Sequence, residues 1–141
     1  GEKVTKFAQT NKNIHDVGLV THDKSISYTL ASDIVMALYD PKLGAHRKAS
    51  PNKAFEAMAC STPIITNHGT PLEDLVNDIK FGWLVPYGDK NALKTLIADL
   101  TGSVKEVRKR GEAGRRAFDS GYSWESMEKR LLKLYAELLE Q

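Results

Sequence analysis

The chain has 141 residues, 41% of them apolar and 27% charged, which fits one folded domain and excludes a disordered or fibrous chain. A single cysteine, Cys60, rules out an internal disulfide framework and a multi-cysteine zinc site and points to a buried structural thiol. No apolar run reaches the ~18 to 20 residues of a membrane-spanning helix, and Gly1-Glu2-Lys3-Val4 does not open a signal peptide, so the expected location is cytoplasmic.

Short β-branched or apolar runs alternate with helical patterns, the signature of an α/β fold with a mostly parallel sheet. Taken in order, residues 2–10 read as helix, Ile14 to Val20 as strand, 24–31 as helix, Asp33 to Tyr39 as strand, and 51–60 as helix. Pro63 to Thr66 reads as strand, 71–78 as helix, Gly82 to Val85 as strand, and Lys90 to Leu100 as helix. Ser50-Pro51 and Thr70-Pro71 each supply an N-cap and a first-turn proline, and Gly88-Asp89 caps the next helix. The starts are thus better marked than the ends. Two helices close the chain, 103–118 and 123–140, separated by Gly121. The last carries Trp124, Met127, Leu131, Leu134, Tyr135 and Leu138 at helical spacing and needs a partner surface.

The charge of +2 is unevenly placed: residues 101–116 hold six cations against two acids, so the rest of the chain carries −2. Short charge runs are usually solvated helix faces, and without interleaved aromatics this one does not read as a nucleic-acid surface. Four short strands make a thin sheet for a doubly wound fold, and the opening reads as though a preceding strand were missing. We therefore expect a partial domain whose sheet edge or last helix is covered by further chain, a partner or a second copy.

In open α/β sheets ligands sit beyond the carboxyl ends of the strands. Between Asp40 and Glu56 the chain carries Lys42, Arg47, Lys48 and Lys53 and no acid, and it runs into a helix N-terminus at Ser50-Pro51-Asn52-Lys53. The unpaired N–H groups of a first turn favour an anion, and Asn52 and Lys53 add donors for phosphate oxygens. A capped surface helix behind a solvated basic loop explains the same residues equally well. Glu56, three residues beyond Lys53, is placed to accept hydrogen bonds from the vicinal diol of a ribose, or to pair internally with Lys53. The four histidines, His15, His22, His46 and His68, show neither i, i+4 pairing nor Cys/His clustering, so no metal site is expected. His68 alone stands where it approaches a sugar or phosphate, though an ordinary loop histidine is the commoner case. Ser50 has no base beside it and reads as a cap.

The run from Ser50 to Thr66, with Pro-Asn-Lys-x-Phe-Glu-x-Met-Ala at its centre, resembles the nucleotide-sugar-binding segment of the group 1 retaining glycosyltransferases with the GT-B fold. The likeness continues in order through Ala31 to Val35, Gly69 to Glu73 and Gly82 to Asp89, and takes in Asn13 to Val20 and Phe118 to Trp124. It implies a Rossmann-like parallel sheet with flanking helices, the C-terminal, donor-binding half of a two-domain enzyme making polysaccharides or glycolipids. By position, Glu56 matches the glutamate that binds the donor ribose, and Ser50, Pro51, Asn52 and Lys53 match the turn against the diphosphate. Gly18 to Val20 matches the strand end near the base, which adds Val20 to the implied donor residues. Gly82, Pro86 and Asp89 are structural.

Two departures accompany the likeness. Many members have a glutamate eight positions before the ribose glutamate, in contact with the donor sugar, and here Lys48 stands there. The family's Arg/Lys diphosphate pair and the acceptor domain with its catalytic-site histidine have no counterpart in these residues, so no catalytic residue is assigned. The resemblance implies a UDP- or GDP-type sugar as substrate, no cofactor or metal, and a glycan or lipid-linked acceptor bound through an N-terminal domain, with peripheral membrane association of the full-length protein left open. A sugar-nucleotide epimerase of the same fold and a non-catalytic α/β nucleotide-binding module remain as alternatives.

Overall fold

The computed structural model describes residues 2–46, residue 48 and residues 51–139. Its elements in order are α1 (Glu2–Thr10), α2 (His22–Ala31), β1 (Val35–Ala37), α3 (Asn52–Ala59), β2 (Ile64–Asn67), α4 (Pro71–Ile79) and β3 (Gly82–Val85). Then follow α5 (Lys90–Thr101), α6 (Val104–Ala117), a π-helical turn (Phe118–Tyr122) and α7 (Trp124–Leu139). The three strands pair in parallel in the order β1-β2-β3, with Val35 opposite Ile64 and Ile64 opposite Gly82. This is the expected α/β class, with one strand fewer than expected.

Ile14 to Val20 forms no strand. Asp16 Oδ1 accepts the Gly18 N–H at 3.1 Å and Gly18 sits at φ +63°, an Asx turn that interrupts the extended run. The outer edge of β1 offers it no ladder among the described residues, and a lone extended segment is not stable in water.

Period-two alternation along the strands divides the core between two faces. Ala37, Ile64 and Phe81 pack with Ala54, Ala57 and Met58 of α3 and Leu72 and Val76 of α4. Ile65 and Val85 turn the other way, toward Leu100 of α5. Every residue of the central strand β2 is buried, as expected for a parallel strand covered on both faces.

The helix starts follow the predicted caps with one change. Asp89 Oδ1 accepts the Asn91 and Ala92 N–H groups at 3.0 and 2.9 Å, and Pro71 takes the first turn of α4. For α3, Pro51 itself occupies the N-cap position and the helix begins at Asn52; the predicted Ser50 cap lies outside the described residues, as do Arg47 of the basic loop and the predicted last helical residue, Glu140. The ends of α3 and α4 carry no glycine, whereas Gly102 caps the end of α5. Ser61, at φ +57°, closes α3 with Ser61 N–H donating to the Met58 carbonyl and Thr62 N–H to the Ala57 carbonyl, the paired bonds of a Schellman stop. Lys80, at φ +62°, ends α4.

Helix α6 reaches the layer of α3 because it presents glycine where they meet. A Cβ on Gly111 would stand 1.9 Å from the Ser61 carbonyl oxygen, and one on Gly114 3.1 Å from the Phe81 Cβ. The cations of α6 are partly structural: Arg110 lies 4.7 Å over the Trp83 ring and donates to the Gly82 carbonyl, and Arg115 donates to the Ala59 carbonyl at 2.7 Å. Along α7, Leu131, Leu132, Leu134, Tyr135 and Leu138 remain exposed.

Two substitutions test this packing. Gly111→Ala gains about 1 kcal/mol of helix propensity, but the contact with a backbone carbonyl forces a shift of the kind that costs about 1 to 3 kcal/mol. Urea titration is expected to show a net loss, and a gain would refute the close approach. Ser61→Gly relieves a left-handed residue and is expected to raise stability by about 0.5 to 1 kcal/mol in the same assay.

Candidate functional site

The loops beyond the strands start from one buried side chain. Asn67, fully buried at the end of β2, accepts the Tyr39 N–H at 2.7 Å through Oδ1 and donates through Nδ2 to the Tyr39 and His68 carbonyls at 3.0 and 2.8 Å. Its amide acts as one more peptide unit, extending the β1–β2 ladder past the last backbone pair, Ala37 with Thr66. Thr66 Oγ1 donates to the Ala37 carbonyl at 2.7 Å beside it. The exit of β1 is pinned further on, where the His46 ring packs edge-on against Tyr39 with centroids 5.5 Å apart and its Nδ1 lies 3.2 Å from the Asp40 carbonyl. Burial pushes the Tyr39 phenol above its ordinary pKa.

From that exit the chain enters α3, which carries Asn52 and Glu56 on one side, four residues apart. Both line a cleft of about 490 Å³ with His22 and Ile26 of α2, Phe118 and Tyr122 of the π turn, and Trp124 and Met127 of α7. Phe55 and Tyr122 stack at 6.0 Å and hold the π turn against α3. Glu56 is half-buried, and among the described residues its one ionic neighbour is His22, with Nδ1 3.8 Å from Oε1. No Lys53–Glu56 ion pair forms. The carboxylate therefore keeps acceptor capacity for a ligand in a mostly apolar cleft. Cys60 behind it has a thiol pushed up by burial and by the Glu56 charge, against a smaller opposing effect of Arg115, as suits the structural thiol expected of it.

A second cleft, of about 460 Å³, opens beyond the carboxyl ends of all three strands. His68 lines it and donates from Nδ1 to Glu73 Oε1 at 2.6 Å, while Glu73 Oε2 accepts the Gly69 N–H at 2.8 Å. The His68 hydrogen bond and then the Gly69 N–H hold the Glu73 carboxyl below the ordinary glutamate value, which keeps it the acceptor at neutral pH. Among the described residues no three His, Cys, Asp or Glu side chains gather into a metal-holding group. Nor is any helix among them long and apolar enough to cross a membrane.

Residues 1–103 match the family model of the group 1 glycosyl transferases. The chain belongs to that family. An MMP alpha-(1->4)-mannosyltransferase of Mycolicibacterium hassiacum is 31% identical over 87 residues, 61% of this chain and 21% of that protein. An uncharacterised glycosyltransferase of Methanocaldococcus jannaschii is 37% identical over 86 residues, 60% of this chain and 24% of its own length. In three dimensions the sucrose-phosphate synthase of Thermosynechococcus elongatus superposes with a TM-score of 0.81 at 26% identity, over 99% of this chain and 33% of that one. The arrangement is thus close to a GT-B glycosyltransferase structure. The chain spans about a fifth to a quarter of the two sequence relatives and a third of the solved one.

Within this group 1 glycosyltransferase fold, the predicted donor residues separate. Glu56 and Asn52 meet in one cleft. Lys53 is exposed and lines no part of that cleft, Pro51 is half-buried at the helix start, and Lys48 is exposed on the loop. Val20 is half-buried two residues before His22, on a loop and not on the expected strand end. Sequence reasoning missed His22, Trp124 and Met127 as cleft residues, because α2 and α7 carry no local motif and reach Glu56 only through tertiary packing, α2 directly against α3 and α7 by way of the π turn.

Asn67→Leu keeps the volume but leaves the Tyr39 N–H and two carbonyls without their partner, at about 1 to 3 kcal/mol per buried group. Hydrogen exchange is expected to show the Tyr39 amide losing protection along with global stability. Unchanged exchange at Tyr39 would refute the clamp.

Proposed function

We propose that this chain is the donor-binding domain of a glycosyltransferase that moves a sugar from a nucleoside diphosphate to a glycan or lipid-linked acceptor with retention of anomeric configuration. The observation that carries the reading is Glu56. It is a half-buried carboxylate one turn inside α3, in a ligand-sized cleft, with no partner nearer than a 3.8 Å histidine among the described residues. A ribose diol supplies the two donors such a carboxylate lacks. Asn52 in the first turn, with Lys48 and Lys53 nearby in sequence, suits the diphosphate, whose growing charge as the sugar leaves is stabilised by helix N–H groups and cations. Lys42, Lys48 and Lys53 take part in no ion pair among the described residues, so their charge is uncommitted. Family membership supports sugar transfer as the chemistry, and the mannosyl transfer named for the mycobacterial relative supports a hexose donor. Such a scheme works without a metal. The acceptor would be held by a further domain outside these 141 residues.

Calorimetric titration of the chain with UDP and with GDP, beside Glu56→Ala, tests the reading. One nucleotide is expected to bind, and the substitution to weaken it by about 1 to 3 kcal/mol, the worth of hydrogen bonds to a charged acceptor. Equal affinity in the variant would refute the ribose contact, and binding of neither nucleotide would refute a donor site built by this chain.

A further inference from the structure

Asn52 and Glu56 reach the first cleft from the same helix, α3, whereas His22 comes to it from α2. Among the described residues His22 is the one side chain within ion-pair range of Glu56, with Nδ1 3.8 Å from Oε1. That separation is too long for a hydrogen bond, so neither group satisfies the other. A hydroxyl oxygen about 2.7 to 2.9 Å from each atom fits across the gap.

The approach of the two side chains is set by bonds between their helices. Thr62, buried just past α3, donates from Oγ1 to the Thr29 carbonyl of α2 at 2.9 Å, and the Cys60 thiol lies 3.9 Å from the Ile26 carbonyl oxygen. The Ser25 N–H donates to the Thr21 carbonyl at 3.0 Å and closes the first turn of α2, on which His22 stands. The backbone that carries His22 is thus placed relative to Glu56, while its ring stays 71% exposed. A substitution there removes little packing.

An imidazole and a carboxylate across one gap make a demand that neither makes alone. The carboxylate only accepts, and an imidazole protonated at Nδ1 donates toward it. A group that fills the gap must therefore donate to one side and accept from the other. A hydroxyl does both, whereas an ammonium group only donates. A sugar without a hydroxyl at that place leaves Glu56 and His22 as far apart as before, and the contact is lost.

We propose that His22 is a specificity-determining residue of the donor site. One ribose hydroxyl donates to Glu56 Oε1 and accepts from His22 Nδ1–H, so the pair selects a ribonucleotide over the deoxyribonucleotide that lacks this hydroxyl. The inference rests on the reading of Glu56 as the ribose ligand.

The test is calorimetric titration of the chain with UDP and GDP, and then with the 2′-deoxy and 3′-deoxy forms of the one that binds. Wild type is compared with His22→Ala, His22→Asn and Glu56→Ala. His22→Ala is expected to weaken the ribonucleotide about threefold to tenfold, the worth of one hydrogen bond, and to leave the affinity for one deoxy form unchanged. His22→Asn is expected to restore most of the loss, because the asparagine Nδ2–H replaces the donor at Nδ1. Equal weakening of the ribonucleotide and both deoxy forms by His22→Ala overturns the proposal, as does no weakening at all. An asparagine variant as weak as the alanine variant assigns the loss to ring volume and overturns it too. In each of these cases a loss of affinity in Glu56→Ala still upholds the donor reading. Unchanged affinity in Glu56→Ala refutes the ribose contact and the shared hydroxyl with it, and binding of neither nucleotide overturns both.

Discussion

The side-chain amide of Asn67 decides where the working part of this fold begins. Three parallel strands of three or four residues give a sheet too short to hold its own loops by backbone pairing alone. Asn67 adds a peptide-like rung between the exits of β1 and β2, fully buried and with both ends of its amide satisfied. Everything that follows on those loops, the aromatic stop of His46 on Tyr39 and the hold of Glu73 on His68 and Gly69, is placed relative to that rung. In a low-dielectric interior a satisfied amide of this kind specifies geometry, because any slip leaves polar groups unpaired.

The packing of α6 is the second constraint, and it accounts for the basic run. A helix with this many cations reads from composition as a solvated face or an anion surface. Instead Gly111 and Gly114 let it approach the end of α3 and Phe81, and that proximity brings Arg110 onto Trp83 and Arg115 onto the Ala59 carbonyl at the end of α3. Arg115 thus satisfies a helix-end acceptor, and Arg110 satisfies the Gly82 carbonyl at the start of β3. The cations without an ion pair among the described residues include Lys42, Lys48 and Lys53, on the segment that leads to Glu56.

Much of the architecture was legible because its signals are local. Asp89 caps α5, Pro71 opens α4, and β3 runs from Gly82 to Val85 as read from the sequence. The ends of α3 and α4 were poorly marked because the usual glycine is absent there, and Ser61 and Lys80 adopt its left-handed conformation under the pull of the closing hydrogen bonds. The run Ile14 to Val20 has strand composition, yet Asp16 and Gly18 form a turn inside it. Composition weighs residues singly, whereas one carboxylate reaching two residues ahead is enough to bend the chain. In the candidate site, Glu56 and Asn52 were legible from helical spacing and a resemblance. His22 and Trp124 arise from tertiary approach and leave no periodic trace, whereas the carboxylate grip on His68 is a local bond from five residues ahead that no capping or spacing rule marks.

The five-residue π turn between α6 and α7 has a consequence for how the cleft is shaped. A wider turn inserts extra backbone without ending the helical path, and here it runs from Phe118 to Tyr122 before Ser123 restarts the helix, its Oγ accepting the Ser126 N–H at 3.3 Å. Each residue of an α-helix advances the azimuth by about 100°. The turn therefore sets the rotational phase of α7, and with it whether Trp124 and Met127 or the charged side of the helix faces Glu56, so the wall of the Glu56 cleft is dialled by the length of a single irregular coil some sixty residues away in sequence.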